Sequence, residues 1–363
     1  MGRMFPQEEA MEETLNWLLE PENPSVRYRT LQYLLDRPKD DPEVQAALKA
    51  IPQSPVVKRI FARQAPHGHW GDPDNPYLPK YKSTYWTVML LGYLGLGRGD
   101  RRVRRAVEHL FHFQQPNGGF AEFGAAGARR EYIHVIRKCL ARGKEPPEEG
   151  AFIADLVHQM TLSCLSGNVV AALLRLGYED DPRLWRAVDW LLEIQNADGG
   201  WLCPYWKAHV RDKHGCFFGT ICPLEALAEI PPARRTRAME KAAASGAEFL
   251  LMHHLYKADH HGFRTIKPDW LKLGFPWFYR YDILRGLWVL TKLGYQDERM
   301  ADALAVLRKK RTPDGKWVLE VTPSGRMQAN LEPRGQPSKW LTLYALWVLR
   351  HIRKSRPRGR LAP

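Results

Sequence analysis

No apolar run in the 363-residue chain approaches the roughly 18 uninterrupted residues of a membrane span. The opening stretch, Met1 to Leu15, is acidic and lacks the apolar core of a secretory signal, so a soluble, cytoplasmic protein is expected. Cysteine is scarce, with five residues, and in a reducing compartment disulfides are not expected. Acid is outnumbered: 40 Asp and Glu against 54 Lys and Arg leave a net charge of +14. Such a balance attracts nucleic acid, anionic lipid or phosphate-bearing ligands. The basic residues are nevertheless spread along the chain, apart from one Pro- and Gly-punctuated cluster, Arg353 to Arg360. Residues 353–363 therefore read as a disordered, solubilising tail, and no specific nucleic-acid partner is expected.

Aromatic residues and proline are plentiful, and they recur in a repeat. Four segments share one pattern: Gln64-Ala-Pro-His-Gly-His-Trp70, Gln114-Gln-Pro-Asn-Gly-Gly-Phe120, Gln195-Asn-Ala-Asp-Gly-Gly-Trp201 and Arg311-Thr-Pro-Asp-Gly-Lys-Trp317. The glycine supplies the left-handed turn that ends a helix, and the aromatic packs back over it. A second pattern interleaves with the first. Apolar helices end at Leu94-Gly-Leu96, Leu176-Gly-Tyr178 and Leu293-Gly-Tyr295, and new amphipathic helices start at Asp100, Asp181 and Asp297. A further turn is expected near His260-His-Gly-Phe263, and an insertion over about 124–150. Helix pairs that cannot bury both faces alone must stack. The fold expected is all-α, an (α/α) toroid of stacked helix hairpins over 55–352, with residues 1–54 as a short N-terminal helical-repeat cap.

These Gln-x-x-(Asp/Asn)-Gly-Gly-(Trp/Phe) turns resemble the repeats of the squalene-hopene cyclase and protein prenyltransferase β-subunit superfamily. The resemblance implies a toroid whose buried-helix starts face a central cavity. It does not by itself imply a chemistry. The Asp-x-Asp-Asp acid of the proton-initiated cyclases has no counterpart here, because Asp40-Asp41 and Asp180-Asp181 each stand before Pro at a helix start and read as caps. An Asp-Asp-x-x-Asp for diphosphate-bound magnesium is missing too. The prenyltransferase zinc site is matched in part. Cys203 follows Gly199-Gly-Trp201, His214 stands where that family has Asp, and Cys216 matches its zinc-bound Cys. The histidine of the next buried helix is replaced by Trp277-Phe-Tyr279-Arg-Tyr281-Asp282.

Four of the five cysteines fall between Cys164 and Cys222. Cys164, Cys203, His214 and Cys216 are the expected ligands of one zinc per chain, iron being the other metal left open. Helix starts favour thiolates, although a free Cys can equally be a small buried hydrophobe. Cys222 reads as packing, and Cys139 is given no role. Asp282 and Tyr281 are the candidate catalytic residues, Asp282 as an acid/base or an extra metal ligand facing the cavity, with an Asp282–Arg285 ion bridge as the other reading of the carboxylate. Trp86, Asn168, Tyr279, Arg285, Lys339 and Trp340 are candidate substrate contacts for an apolar or anionic small molecule. The function expected is a metal-dependent transferase or lyase acting on a largely apolar, possibly isoprenoid-like substrate. The alternatives are a ligand- or peptide-binding toroid stapled by a structural zinc, and a divergent terpene cyclase with an unfamiliar acid.

Overall fold

The structure, a computed structural model, describes residues 6–209, 211–323 and 325–354. The expected tail lies outside the described residues from 355 onward. Helix accounts for 55% of the described residues, and the one sheet among them is a hairpin of two two-residue strands. The helices are α1 (Pro6–Leu18), α2 (Pro24–Tyr33), α3 (Pro42–Ala50), α4 (Pro55–Phe61), α5 (Thr84–Leu94) and α6 (Arg101–Phe111). They continue with α7 (Ala125–Leu140), α8 (Glu149–Gln159), α9 (Ser163–Arg175), α10 (Pro182–Glu193) and α11 (Phe217–Glu229). The last four are α12 (Arg237–Met252), α13 (Ile283–Lys292), α14 (Ala301–Lys309) and α15 (Lys339–Lys354).

Contacts divide the chain into two units. One comprises Ile60–Gly246 with Arg326–Gln328. Its fully buried helices α5 and α11 both pack on α9, and the amphipathic α6 and α10 cover α5 and α9. The other comprises Met1–Arg59, Ala247–Gly325 and Ala329–Pro363. There α13 packs on α14 and α15, and α15 packs on α1 and α2. The N-terminal helices thus group with the last repeats.

Each corner between a buried and an outer helix is short and capped as the sequence predicts. Asp100, Asp181 and Asp297 accept the backbone N–H of Arg102, Arg183 and Arg299, which satisfies a donor left over at the helix start. Those same arginines fork back onto the capping aspartate. Arg102 and Arg183 also lie 3.8 and 3.7 Å over the rings of Phe61 and Phe111 on the preceding outer helices.

The opposite end is built on the repeated turns. The indole N–H groups of Trp70, Trp201 and Trp317 donate to the carbonyls of Ile60, Leu191 and Leu307, ten residues back in every case. The backbone N–H of Trp70, Phe120, Trp201 and Trp317 donates to a hydroxyl on the buried helix that follows: Thr84, Ser166, Thr220 and Thr342. Gln64, Gln114 and Gln195 each donate to a carbonyl of their own turn and to one in the next outer helix, that of Arg102, Arg183 or Ala242. One turn departs from the pattern. Residues 257–265 form the small hairpin, and Phe263, set beyond Gly262 without the usual spacer, is left exposed. The expected insertion is helical, the α7–α8 hairpin, and runs to Gln159.

Glycine is required at the turns for two reasons. Gly118 has φ +98°, and a Cβ there would stand 2.2 Å from the Arg186 carbonyl oxygen of α10. Gly294, with φ +90°, has nothing within 4 Å of the same position. Gly294→Ala should cost only the left-handed strain, about 1–2 kcal/mol. Gly118→Ala must also push back a helix, and should cost roughly twice that or more. Urea unfolding of the two variants measures the difference, and equal losses would mean that the turn does not abut α10 as described.

Candidate functional site

The aromatic of each turn fixes the residue two places further on. Trp201 is held at its backbone by Thr220, and its indole is held by Leu191, so Cys203 is delivered into the interior with 6% of its surface exposed. Phe120, held by Ser166, delivers Glu122 in the same register one repeat earlier. Both residues lie in the first-named unit, on the links between a turn and the next buried helix.

Around Cys203 the structure gathers Ser163 and Cys164, the first two residues of α9, with His209 from the 204–215 link. Ser163 Oγ lies 3.7 Å from the Cys203 sulfur. The Cys164 S–H, by hydrogen bonding, holds the Cys203 thiol well below its ordinary range, with His209 and Ser163 adding to the effect. Cys164 moves the opposite way, raised by the same bond and by burial. Cys203 raises the His209 imidazole, whose Nδ1 is buried without a hydrogen-bond partner. The pair therefore leans toward thiolate and imidazolium, the polarity of a nucleophilic thiol.

Glu122 is the acid of this region. Burial, with a smaller push from the Cys203 charge, raises its pKa to about 7, against lowering by Lys80 and a hydrogen bond from Tyr77. Tyr77 leads into an aromatic group. Its ring lies 4.9 Å from Trp86, which donates its indole N–H to the Tyr77 carbonyl and also meets Tyr81 at 5.5 Å. Two ionisable groups in one interior are thus driven apart, one toward the anion and one toward the neutral acid.

The expected zinc ligands do not come together as a set. Among the described residues no group of three or more His, Cys, Asp or Glu side chains is arranged to hold a metal ion. Cys164 and Cys203 touch, but the Cys216 sulfur caps α11 by accepting the Gly219 N–H at 3.0 Å. His214 is turned outward, its side chain 58% exposed and 4.0 Å from Asp198, with Nδ1 on the Gly215 carbonyl. His209, not His214, is the histidine at Cys203. The reason is local: Asp198 binds the Gly215 N–H at 2.7 Å and pins the chain with His214 on the outside. The donor set present does not fit a zinc tetrad.

Of the other expected residues, Trp86 stands in the aromatic group beside Glu122, and Asn168 is buried one turn after Cys164 on α9. The remainder belong to the other unit. Asp282 caps α13, with both oxygens on backbone, Oδ1 on Arg285 N and Oδ2 on Gly274 N, each at 2.9 Å. Burial raises its pKa. Tyr281 donates its hydroxyl to the Leu255 carbonyl at 2.6 Å and is fully buried. Arg285, also buried, donates to the Arg280 carbonyl. Tyr279 is half-buried in the preceding turn. Trp340 stacks on Phe275 at 4.8 Å. Lys339 pairs with Glu20 at 2.5 Å and covers Trp17. Glu122 and His209 are the site residues that spacing did not reveal. Glu122 was marked by its register with Cys203, two residues past the turn aromatic.

No family model matches the chain, and no curated sequence matches it. Among solved structures, a protein from Actinoplanes is 17% identical at a TM-score of 0.46, covering 96% of this chain and 100% of its own. The type II terpene cyclase MstE from Scytonema is 18% identical in its apo form, at a TM-score of 0.44, covering 95% of this chain and 97% of its own. A variant of that cyclase in complex with geranylgeranyl dihydroxybenzoate is 19% identical at 0.45, with coverage of 96% and 98%.

The Glu122 carboxyl makes stability depend on pH with a definite sign. Its folded pKa of about 7 exceeds the 4.5 of a glutamate in water, so the folded state holds the extra proton and stability falls as pH rises between those values. The full shift corresponds to about 3 kcal/mol. Glu122→Gln, which cannot ionise, should gain on the wild type by about that amount between pH 4 and pH 8. Urea unfolding of both proteins at the two pH values gives the difference, and a constant gap would place Glu122 in solvent.

Proposed function

We propose that the chain is an enzyme of the transferase or lyase kind, acting on a largely apolar, isoprenoid-like substrate, with Cys203 as nucleophile or base and Glu122 as general acid. The observation that carries this reading is the buried Cys203 sulfur, held between Cys164, Ser163 and His209 in the same interior as a raised carboxyl. In the proposal the repeats close into an α/α toroid of the cyclase and prenyltransferase type, and the turn-to-helix links rim its cavity. Tyr77, Tyr81 and Trp86 give that interior an apolar wall with π-faces, suited to a prenyl chain. The protein would work in the cytoplasm, where Cys164 and Cys203 stay reduced.

The roles follow from the charges. The sulfur anion forms a bond to carbon, or removes a proton, while Glu122 gives its proton to the departing group. His209, as imidazolium, holds the anion ready, and Cys164 contributes its S–H. Each acts most strongly where water is excluded.

Alkylation tests the reading. A farnesyl-chain α-haloketone should label Cys203 at least about tenfold faster than a short haloketone of equal intrinsic reactivity, because binding of the chain positions the electrophile. Peptide mapping should find the label on Cys203, and His209→Asn should slow it while leaving the circular dichroism spectrum unchanged. Label distributed over the other cysteines, or no advantage from the prenyl chain, would overturn the assignment.

A further inference from the structure

Large apolar side chains at the surface are few, and four of the five in the described residues surround the inserted hairpin. On α7, Ile133 is 44% and Leu140 65% exposed. Leu78 and Trp206, 46% and 41% exposed, sit on the two links that pack against that hairpin. The Leu78 link is fastened by Arg130 of α7, whose guanidinium meets Asp72 at 2.6 Å. The Trp206 link is fastened to α8, where Tyr205 stacks on His158 at 3.8 Å and Lys207 pairs with Asp155. In the interior, Tyr132 and Ala128 already anchor α7.

Charge on the helix is arranged around the apolar residues. Ile133, Ile136 and Leu140 fall at helical spacing on one stripe, with Arg129 and Arg137 on the same side. Residues 125–145 carry six Lys or Arg (Arg129, Arg130, Arg137, Lys138, Arg142, Lys144) against two acids, Glu131 and Glu145, and two of the cations, Arg129 and Arg130, are paired with Glu149 and Asp72. Arg137, Lys138, Arg142 and Lys144 are all exposed. A basic helix with an outward apolar stripe has the composition of one that lies in the headgroup layer of an anionic bilayer.

We propose that α7, with the Leu78 and Trp206 links beside it, docks this protein on the surface of an anionic lipid bilayer. Ile133, Leu140, Leu78 and Trp206 enter the acyl boundary, and the α7 cations meet lipid phosphates. The two links also carry Tyr77 and Cys203 of the proposed site. Docking rests on the exposed residues alone and stands whether or not Cys203 is a nucleophile.

Vesicle co-sedimentation tests it with the full chain. The wild type should bind phosphatidylcholine–phosphatidylglycerol vesicles of about 70:30 and leave pure phosphatidylcholine vesicles free, losing affinity with added salt. Ile133→Ser with Leu140→Ser should weaken binding at least about tenfold, since two inserted side chains are removed. Arg137→Gln with Lys138→Gln should reduce the preference for the anionic vesicles by about tenfold or more. All four positions are exposed, so the far-UV spectrum should stay unchanged, and Cys203→Ser should bind like the wild type. Failure of the wild type to bind anionic vesicles, or equal binding by the Ile133→Ser/Leu140→Ser variant, overturns the proposal. So does light scattering that shows a dimer abolished by the Ser pair in a protein that ignores vesicles, because the occupant would then be a second copy.

Discussion

One hydrogen bond recurs through the molecule and sets the position of the rest: the backbone N–H of a turn aromatic donating to a hydroxyl on the next buried helix. Thr84, Ser166, Thr220 and Thr342 receive it in turn. The aromatic end of each turn is fully buried, so an unpaired N–H there would carry the full desolvation penalty of an amide. The hydroxyl removes that penalty and ties the height of the turn to the height of the helix. The glutamine and tryptophan bonds then fix the turn to the outer helices on either side. Cys203 and Glu122 inherit their positions from this register, two residues beyond a clamped aromatic.

The chemistry of the interior follows from how few partners each ionisable group has there. A thiolate is stabilised by neighbours that can donate to it, and Cys164, Ser163 and His209 supply three donors to one sulfur. A buried carboxyl with little hydrogen bonding holds its proton to a higher pH, as Glu122 does up to about 7. Asp282 shows that burial need not make an acid available. It too is buried and raised, yet both its oxygens receive backbone N–H groups, and its geometry is that of a helix cap.

The repeat, the capping aspartates and the helical content were legible in the sequence because each depends on local spacing: Gly at the left-handed turn, Asp before the first helical turn, apolar residues around the buried helices. The Thr and Ser partners of the turns were not legible, since they lie beyond links of very different length. His209 and His214 show the same limit at the site. Both sit in the 204–215 link, and only the capture of Gly215 by Asp198 decides which imidazole faces the sulfur. Spacing can bring a histidine near a cysteine in sequence but gives no direction to its side chain. The α7–α8 insertion is legible as an interruption, while the exposure of its apolar outer stripe, which breaks the usual rule for a surface helix, depends on which face the rest of the fold covers.

The two ends of each helix pair differ in how much freedom they leave. Corners at 95–100, 176–181 and 293–297 are short and locked by capped aspartates and their arginines. The glycines Gly68, Gly118 and Gly199 press on the backbone of the next outer helix with no room for even a methyl group. Extra residues can therefore enter only between a turn aromatic and the buried helix that follows. A lineage built on this frame can lengthen, shorten or reword those links without disturbing the stack. New substrates and new surfaces would be acquired on those links, while the capped corners hold the helix pairs constant.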